Sequence, residues 1–236
     1  MSVKTQIHQR IAVIGLGTFG SSLARELTRA GIQVLAIDKN MDAVDQIAEF
    51  VDHAVCLDSK DPEALEQNGI FRVDAAAVCI GESFQECAMV TLKLLEMKVP
   101  RVLARAAGEA EAVILDRIGA HDILFVEQQM GRHWASLLAR PGAIEDFEVS
   151  RNYSIVRIRP SPSWTGQRLE QLALPKKHGI TVLGSYVHDR FELVKGPEEI
   201  VDPSKDLLVI GHHQDLDKYF AVRLKEDEIS ASGSKA

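Results

Sequence analysis

No apolar run in this chain approaches the roughly 20 residues needed to cross a bilayer as a helix. Residues 1–10 are polar and lack the apolar core of a signal peptide. Together these absences lead to the expectation of a soluble, cytoplasmic protein. Cysteine is scarce: Cys56, Cys79 and Cys87 are odd in number and have no C-x-x-C spacing. Cys56 and Cys79 fall in apolar, strand-like runs and read as buried, inert thiols without a role. The eight histidines do not cluster, and the one adjacent pair, His212-His213, reads as solvated. Basic runs and internal repeats are missing too. With 27 Lys plus Arg against 34 Asp plus Glu, the formal charge is −7, so nucleic acid is not an expected partner.

What the chain does have, over its first part, is an alternation of short β-branched runs with helical patterns. This marks a parallel sheet wrapped by crossover helices. Strands read at residues 10–14, 33–37, 53–57, 73–80, 101–104 and 122–126, with helices at 19–30, 41–50, 83–97 and 109–118 and another opening at Asp61-Pro62. Met130, Trp134, Leu137 and Leu138 then form one apolar stripe on a helix at 128–140, a candidate crossover and dimer helix that Pro141-Gly142 ends.

Beyond it, strands at 153–159, 180–187, 191–194 and 207–210 and a short helix at 166–172 suggest a small α+β unit. The polar tail reads as disordered. The expected organisation is a Rossmann-like, doubly wound α/β domain over 1–142, a small α+β C-terminal domain over 143–225, and a disordered tail over 226–236.

Strand one runs directly into Gly15-Leu16-Gly17-Thr18-Phe19-Gly20, a G-x-G-x-x-G that opens a helix. Gly15 permits the tight turn, Gly17 lets the backbone approach a phosphate, and Gly20 allows close helix–strand packing. The helix N-terminus offers free N–H groups to the anion. Asp38 ends strand two, where a carboxylate accepts hydrogen bonds from both ribose hydroxyls of an adenosine and repels a 2′-phosphate, which disfavours NADP. Its alternative role is to cap the helix that begins near Met41. Asp58, Ile80-Gly81-Glu82, Arg105 and Glu127 follow strands three to six, at the carboxyl edge where open α/β sheets bind ligands. Arg105 suits a phosphate, and Glu127 a divalent cation bridging phosphate oxygens.

Taken in order, these segments resemble the RCK (regulator of potassium conductance) family, in particular Ktr/Trk-type potassium-uptake regulatory subunits. The matching pieces are Ile14 to Gly20 with Leu35-Ala36-Ile37-Asp38, Leu57-Asp58, Cys79-Ile80-Gly81, Ile118-Gly119-Ala120-His121 and Val126 to Gly131. Leu169-Glu170-Gln171-Leu172, the segment from His178 to Gly184 and that from Asp206 to Gly211 extend the likeness into the second domain. The resemblance implies N-domain dimers assembled into an octameric ring, docked on the inner face of the membrane against a separate integral-membrane potassium transporter. Exchange of ATP for ADP would gate that transporter.

It also implies that Asp38 holds the ribose, Asp58 lies near the adenine, Arg105 near the phosphates, and Glu127 at a Mg or Ca site. Gly15, Gly17, Thr18, Phe19, Gly20, Lys39, Ser59, Ile80, Gly81 and Glu82 complete the expected nucleotide site. Some relatives bind cyclic di-AMP in the C-domain. One departure matters: Thr18 stands where Ktr-type members commonly carry an Arg that meets the terminal phosphate of ATP. Weaker ATP-over-ADP discrimination follows, and NAD(H) gains as a ligand. The expected function is that of a non-enzymatic nucleotide sensor. The alternatives are an NAD-dependent oxidoreductase, for which no acid/base pair can be placed after Arg140, or a ligand sensor with a non-transporter partner.

Overall fold

Arg10–Ile14 (β1), Gln33–Asp38 (β2), His53–Cys56 (β3), Ala75–Val78 (β4), Val102–Arg105 (β5) and Asp122–Leu124 (β6) form one parallel sheet, ordered β3-β2-β1-β4-β5-β6. The computed structural model describes residues 9–187 and 190–233, with side chains through residue 223. Most of the N-terminal stretch read above as polar therefore lies outside the described residues, as do the last three residues of the tail. Helices α1 (Thr18–Arg29), α2 (Met41–Ala48), α3 (Pro62–Gln67), α4 (Phe84–Glu96) and α5 (Glu109–Ile118) make the crossovers. Strand order reverses between β1 and β4, so the loops after these strands diverge and leave a crevice at their carboxyl ends.

Strand alternation sorts the apolar residues onto the two faces. Ile14, Leu35, Ile37 and Val78 share one core with Leu94 and Leu115, and Val13, Val34, Ala36 and Ala77 share another with Val44 and Ile47. Strand β4 is buried at every position, which explains its unbroken apolar sequence.

The chain divides into two compact units between Gln129 and Met130. Helix α6 spans Val126–Ala139, and the second unit carries an antiparallel sheet of Ala143–Ser150 (β7), Tyr153–Ile158 (β8), Ile180–Val187 (β9), Arg190–Leu193 (β10) and Asp206–His212 (β11), ordered β10-β9-β11-β8-β7. Helices α7 (Leu169–Leu172), α8 (Leu174–His178) and α9 (His213–Gly233) accompany it. Val156, Ile158, Trp164, Leu216 and Phe220 belong to its core.

Here the structure corrects several expectations. The tail read as disordered from 226 is helical through Gly233. Leu216, Tyr219 and Phe220, at i, i+3 and i+4, are buried and establish the helix, and propagation through polar residues then needs only one bond per residue. His212 and His213 are half-buried, not solvated: the His213 ring nitrogen Nε2 lies 3.0 Å from the Ser154 hydroxyl, and the His212 ring meets Tyr153 edge-on. The short helix begins at Leu169 instead of 166, because Gly166 is left-handed and Arg168 extended. Among the described residues, no helix is long and apolar enough to cross a membrane.

Candidate functional site

The turn from β1 to α1 is set by backbone crowding. Gly15 adopts φ +92°, and a Cβ there would lie 3.0 Å from the backbone nitrogen of Ile80, so the turn sits directly against the end of β4. A Cβ on Gly20 would approach the Gly15 carbonyl oxygen to 1.9 Å, which fixes α1 tightly over the turn. Gly17 has ordinary φ, and nothing lies within 4 Å of its missing Cβ. Its bareness serves the space in front of it. No capping side chain and no first-turn acid neutralise the positive end of α1.

That space is a cavity of about 890 Å³. Its wall includes Gly15, Gly17, Thr18, Phe19, Asp38, Lys39, Asp58, Ser59, Ile80, Gly81, Glu82, Arg105 and Glu127. Gly20 stays behind the turn, in the packing of α1 on the sheet. Asp38 holds the turn itself: its Oδ2 accepts from the Leu16 N–H at 2.6 Å and its Oδ1 from the Asn40 N–H at 2.8 Å. Capping of α2 belongs to Asn40, whose side chain accepts from the Asp42 N–H, so the alternative role for Asp38 is already taken.

The sequence reading missed Asn40, Lys60 and Glu86 in the same wall. Glu86 accepts from Lys39 at 3.0 Å and from Lys60 at 3.3 Å, while Lys60 also stands 3.6 Å from Asp58. Hydrogen bonds from Lys39 and then Lys60 hold the Glu86 carboxyl below the usual carboxylate range, and Glu86 in turn raises the Lys39 ammonium. The signal for Glu86 was present in Ser83-x-x-Glu86, since Ser83 caps α4 and places the first turn of that helix at the carboxyl edge of β4.

Arg105 packs on Gly81, where a Cβ would come within 2.4 Å of Nη1, and donates through Nη2 to the Glu127 carboxylate in the first turn of α6. The wall thus carries five carboxylates (Asp38, Asp58, Glu82, Glu86 and Glu127) against three cations (Lys39, Lys60 and Arg105). Among the described residues, no group of three or more His, Cys, Asp and Glu side chains is placed to hold a metal. Burial pushes the Cys79 thiol up to about 12 and that of Cys87 to about 11, leaving both protonated at neutral pH. Cys56 is exposed, contrary to expectation, because β3 is an edge strand and the Cys56 thiol points to the Lys39 carbonyl oxygen at 3.5 Å.

A parallel sheet reversing beside a bare glycine turn, with an acid ending the next strand, is the Rossmann arrangement, and the TrkA-N domain model matches residues 11–126. The RCK domain of GsuK has the same fold, superposing with a TM-score of 0.50 at 23% identity over 91% of this chain and 47% of that one. Along most of its length the chain is 31% identical, over 212 residues, to Ktr system potassium uptake protein A of Bacillus subtilis (strain 168), covering 90% of this chain and 96% of the relative. Ktr system potassium uptake protein C of the same organism is 30% identical over 213 residues, 89% of this chain and 96% of its own. The chain belongs to this family of Ktr-type potassium-uptake proteins.

Proposed function

We propose that the chain is a nucleotide-sensing subunit that regulates a separate membrane potassium transporter, with an adenine nucleotide held over the β1–α1 turn. The observation that carries this reading is the convergence of the open turn at Gly17, the Asp38 carboxylate and the Arg105 guanidinium on one cavity. Its relatives, named as potassium uptake proteins, supply the transport context. Asp38 would take the ribose hydroxyls, the α1 N-terminus and Arg105 the phosphates. Thr18 offers a hydroxyl and no charge at the phosphate end, and the wall is already net acidic. Both features favour the less highly charged ADP and NAD(H) relative to ATP.

A thermal-shift panel of ATP, ADP, NAD and NADH tests this reading. A ligand at 100 times its dissociation constant adds about 2.7 kcal/mol, or roughly 5–10 °C for a protein of this size. ADP or NAD(H) is expected to match or exceed ATP, and Thr18→Arg to improve ATP selectively. A melting temperature that no nucleotide moves would remove the proposal.

Sensing becomes regulation only if the ligand binds two conformations unequally. Helix α6 is our candidate for transmitting the difference, because it presents Met130, Trp134 and Leu138 at 48, 58 and 78% exposure along one stripe. An apolar stripe so bare suits a second copy of the chain, and dimers so formed would be the units of a ring on the cytoplasmic side of the transporter. Trp134→Asp is expected to lower the mass found by light scattering to that of smaller species; an unchanged mass would exclude α6 from the interface.

A further inference from the structure

Glu86 is the third residue of α4 after its cap Ser83, a position from which a glutamate commonly turns back to the N–H of the cap. Here both carboxylate oxygens go to lysines instead. Oε1 and Oε2 accept from Lys39 Nζ at 3.2 and 3.0 Å, and Oε1 accepts also from Lys60 Nζ at 3.3 Å. Lys39 follows β2 and Lys60 lies beyond β3, whereas α4 follows β4. Strand β1 runs between β2 and β4, so the Lys39–Glu86 pair joins the two sides of the crevice at its carboxyl edge. Lys39 adjoins Asp38, the proposed ribose acceptor, which makes this the adenosine end. The cavity of about 890 Å³ stands open with both pairs made, so they bound the ligand space without filling it. Lys39 is 60% exposed and Glu86 25%, so the outer pair meets water and parts readily.

Resting on the nucleotide reading of the cavity, we propose that Lys39, Glu86 and Lys60 form an ionic strap across the adenosine end of the crevice, which opens for each nucleotide to enter or leave. Glu86 is its hinge point, since one carboxylate on α4 serves both lysines. The strap governs how fast one nucleotide replaces another more than how tightly either binds. A ligand consisting of phosphates alone escapes without opening it.

Release of radiolabelled ADP into excess unlabelled ADP, followed by rapid filtration of the full chain, tests the strap. Glu86→Gln is expected to release ADP roughly three- to tenfold faster, the scale of two partly exposed ion pairs. Entry should quicken as well, leaving affinity changed less than either rate. A Lys39→Gln/Lys60→Gln double variant should match Glu86→Gln, and adding Glu86→Gln to it should change nothing further. Salt should speed release from the parent more than from Glu86→Gln. Labelled pyrophosphate should leave parent and variant equally fast. If Glu86 acted only through its charge, removing it would slow the release of an anion, so unchanged or slower release overturns the proposal. So does acceleration of pyrophosphate to the same degree, or additive effects of the lysine and glutamate changes. A parent that is folded by circular dichroism yet binds no adenine nucleotide would instead sink the reading of the cavity, and this inference with it.

Discussion

Gly17→Ala is expected to leave the stability of the protein nearly unchanged while weakening nucleotide binding at least tenfold, and Gly20→Ala to do the reverse damage by unsettling the fold itself. The two glycines belong to one motif but answer to different neighbours. At Gly17 the φ of −64° suits any residue, and nothing lies within 4 Å of a new Cβ. The methyl would project into the space where a phosphate must approach the backbone. At Gly20 the methyl would lie 1.9 Å from the Gly15 carbonyl oxygen and 3.2 Å from the Cys79 Cβ, so α1 must move off the sheet. Overpacking of this kind costs about 2–3 kcal/mol, or a melting temperature lower by roughly 4–12 °C. Thermal melts and ADP titration of both variants decide the matter. Equal loss of stability in the two would mean that the motif is only a structural turn.

Asp38→Ala has the second large expected effect, and it acts twice. The carboxylate accepts from the Leu16 and Asn40 N–H groups, so its loss frees two backbone donors at the turn and costs about 2 kcal/mol. It also removes the acceptor proposed for the ribose. Hydrogen bonds to a charged group contribute about 1.5–3 kcal/mol each, so ADP affinity is expected to fall ten- to a hundredfold. Stability and recognition separate by comparing ADP with 2′-deoxy-ADP. The parent should prefer ADP severalfold, and Asp38→Ala should not distinguish the two. A variant that retains the preference would show that the ribose is held elsewhere.

The first unit was legible in the sequence because its requirements are local. A parallel strand covered on both faces must be apolar throughout, and Ala75–Val78 is. A turn at φ +92° asks for glycine, and Gly15 supplies it. Helix starts announce themselves through caps such as Asp61 and Ser83. Of the residues missed at the cavity, Asn40 has a local role, while Lys60 and Glu86 depend on partners far along the chain: Glu86 meets Lys39 and Lys60 from a different crossover, and no spacing rule joins them.

The second unit was harder to read for the same reason. In β7 the order of burial is inverted relative to polarity, with Asp146 buried while Phe147 and Val149 stand exposed. The cause is the end of α6: Ser136 and, just past the helix, Arg140 both donate to the Asp146 carboxylate, and Arg140 donates again to Asp217 of α9 at 2.9 Å. A charge so satisfied can be buried, which hides the strand from any reading of hydrophobic alternation.

By itself, then, the sequence determined the doubly wound sheet, the glycine turn and the acid at the end of β2, since each follows from what a short stretch of backbone can adopt. Only the tertiary structure decided which carboxylate faces which cation, that Glu127 lies on Arg105, and that Asp146 is buried. Those outcomes depend on charges brought together by packing of distant segments, and their energies exist only once the chain has closed around them.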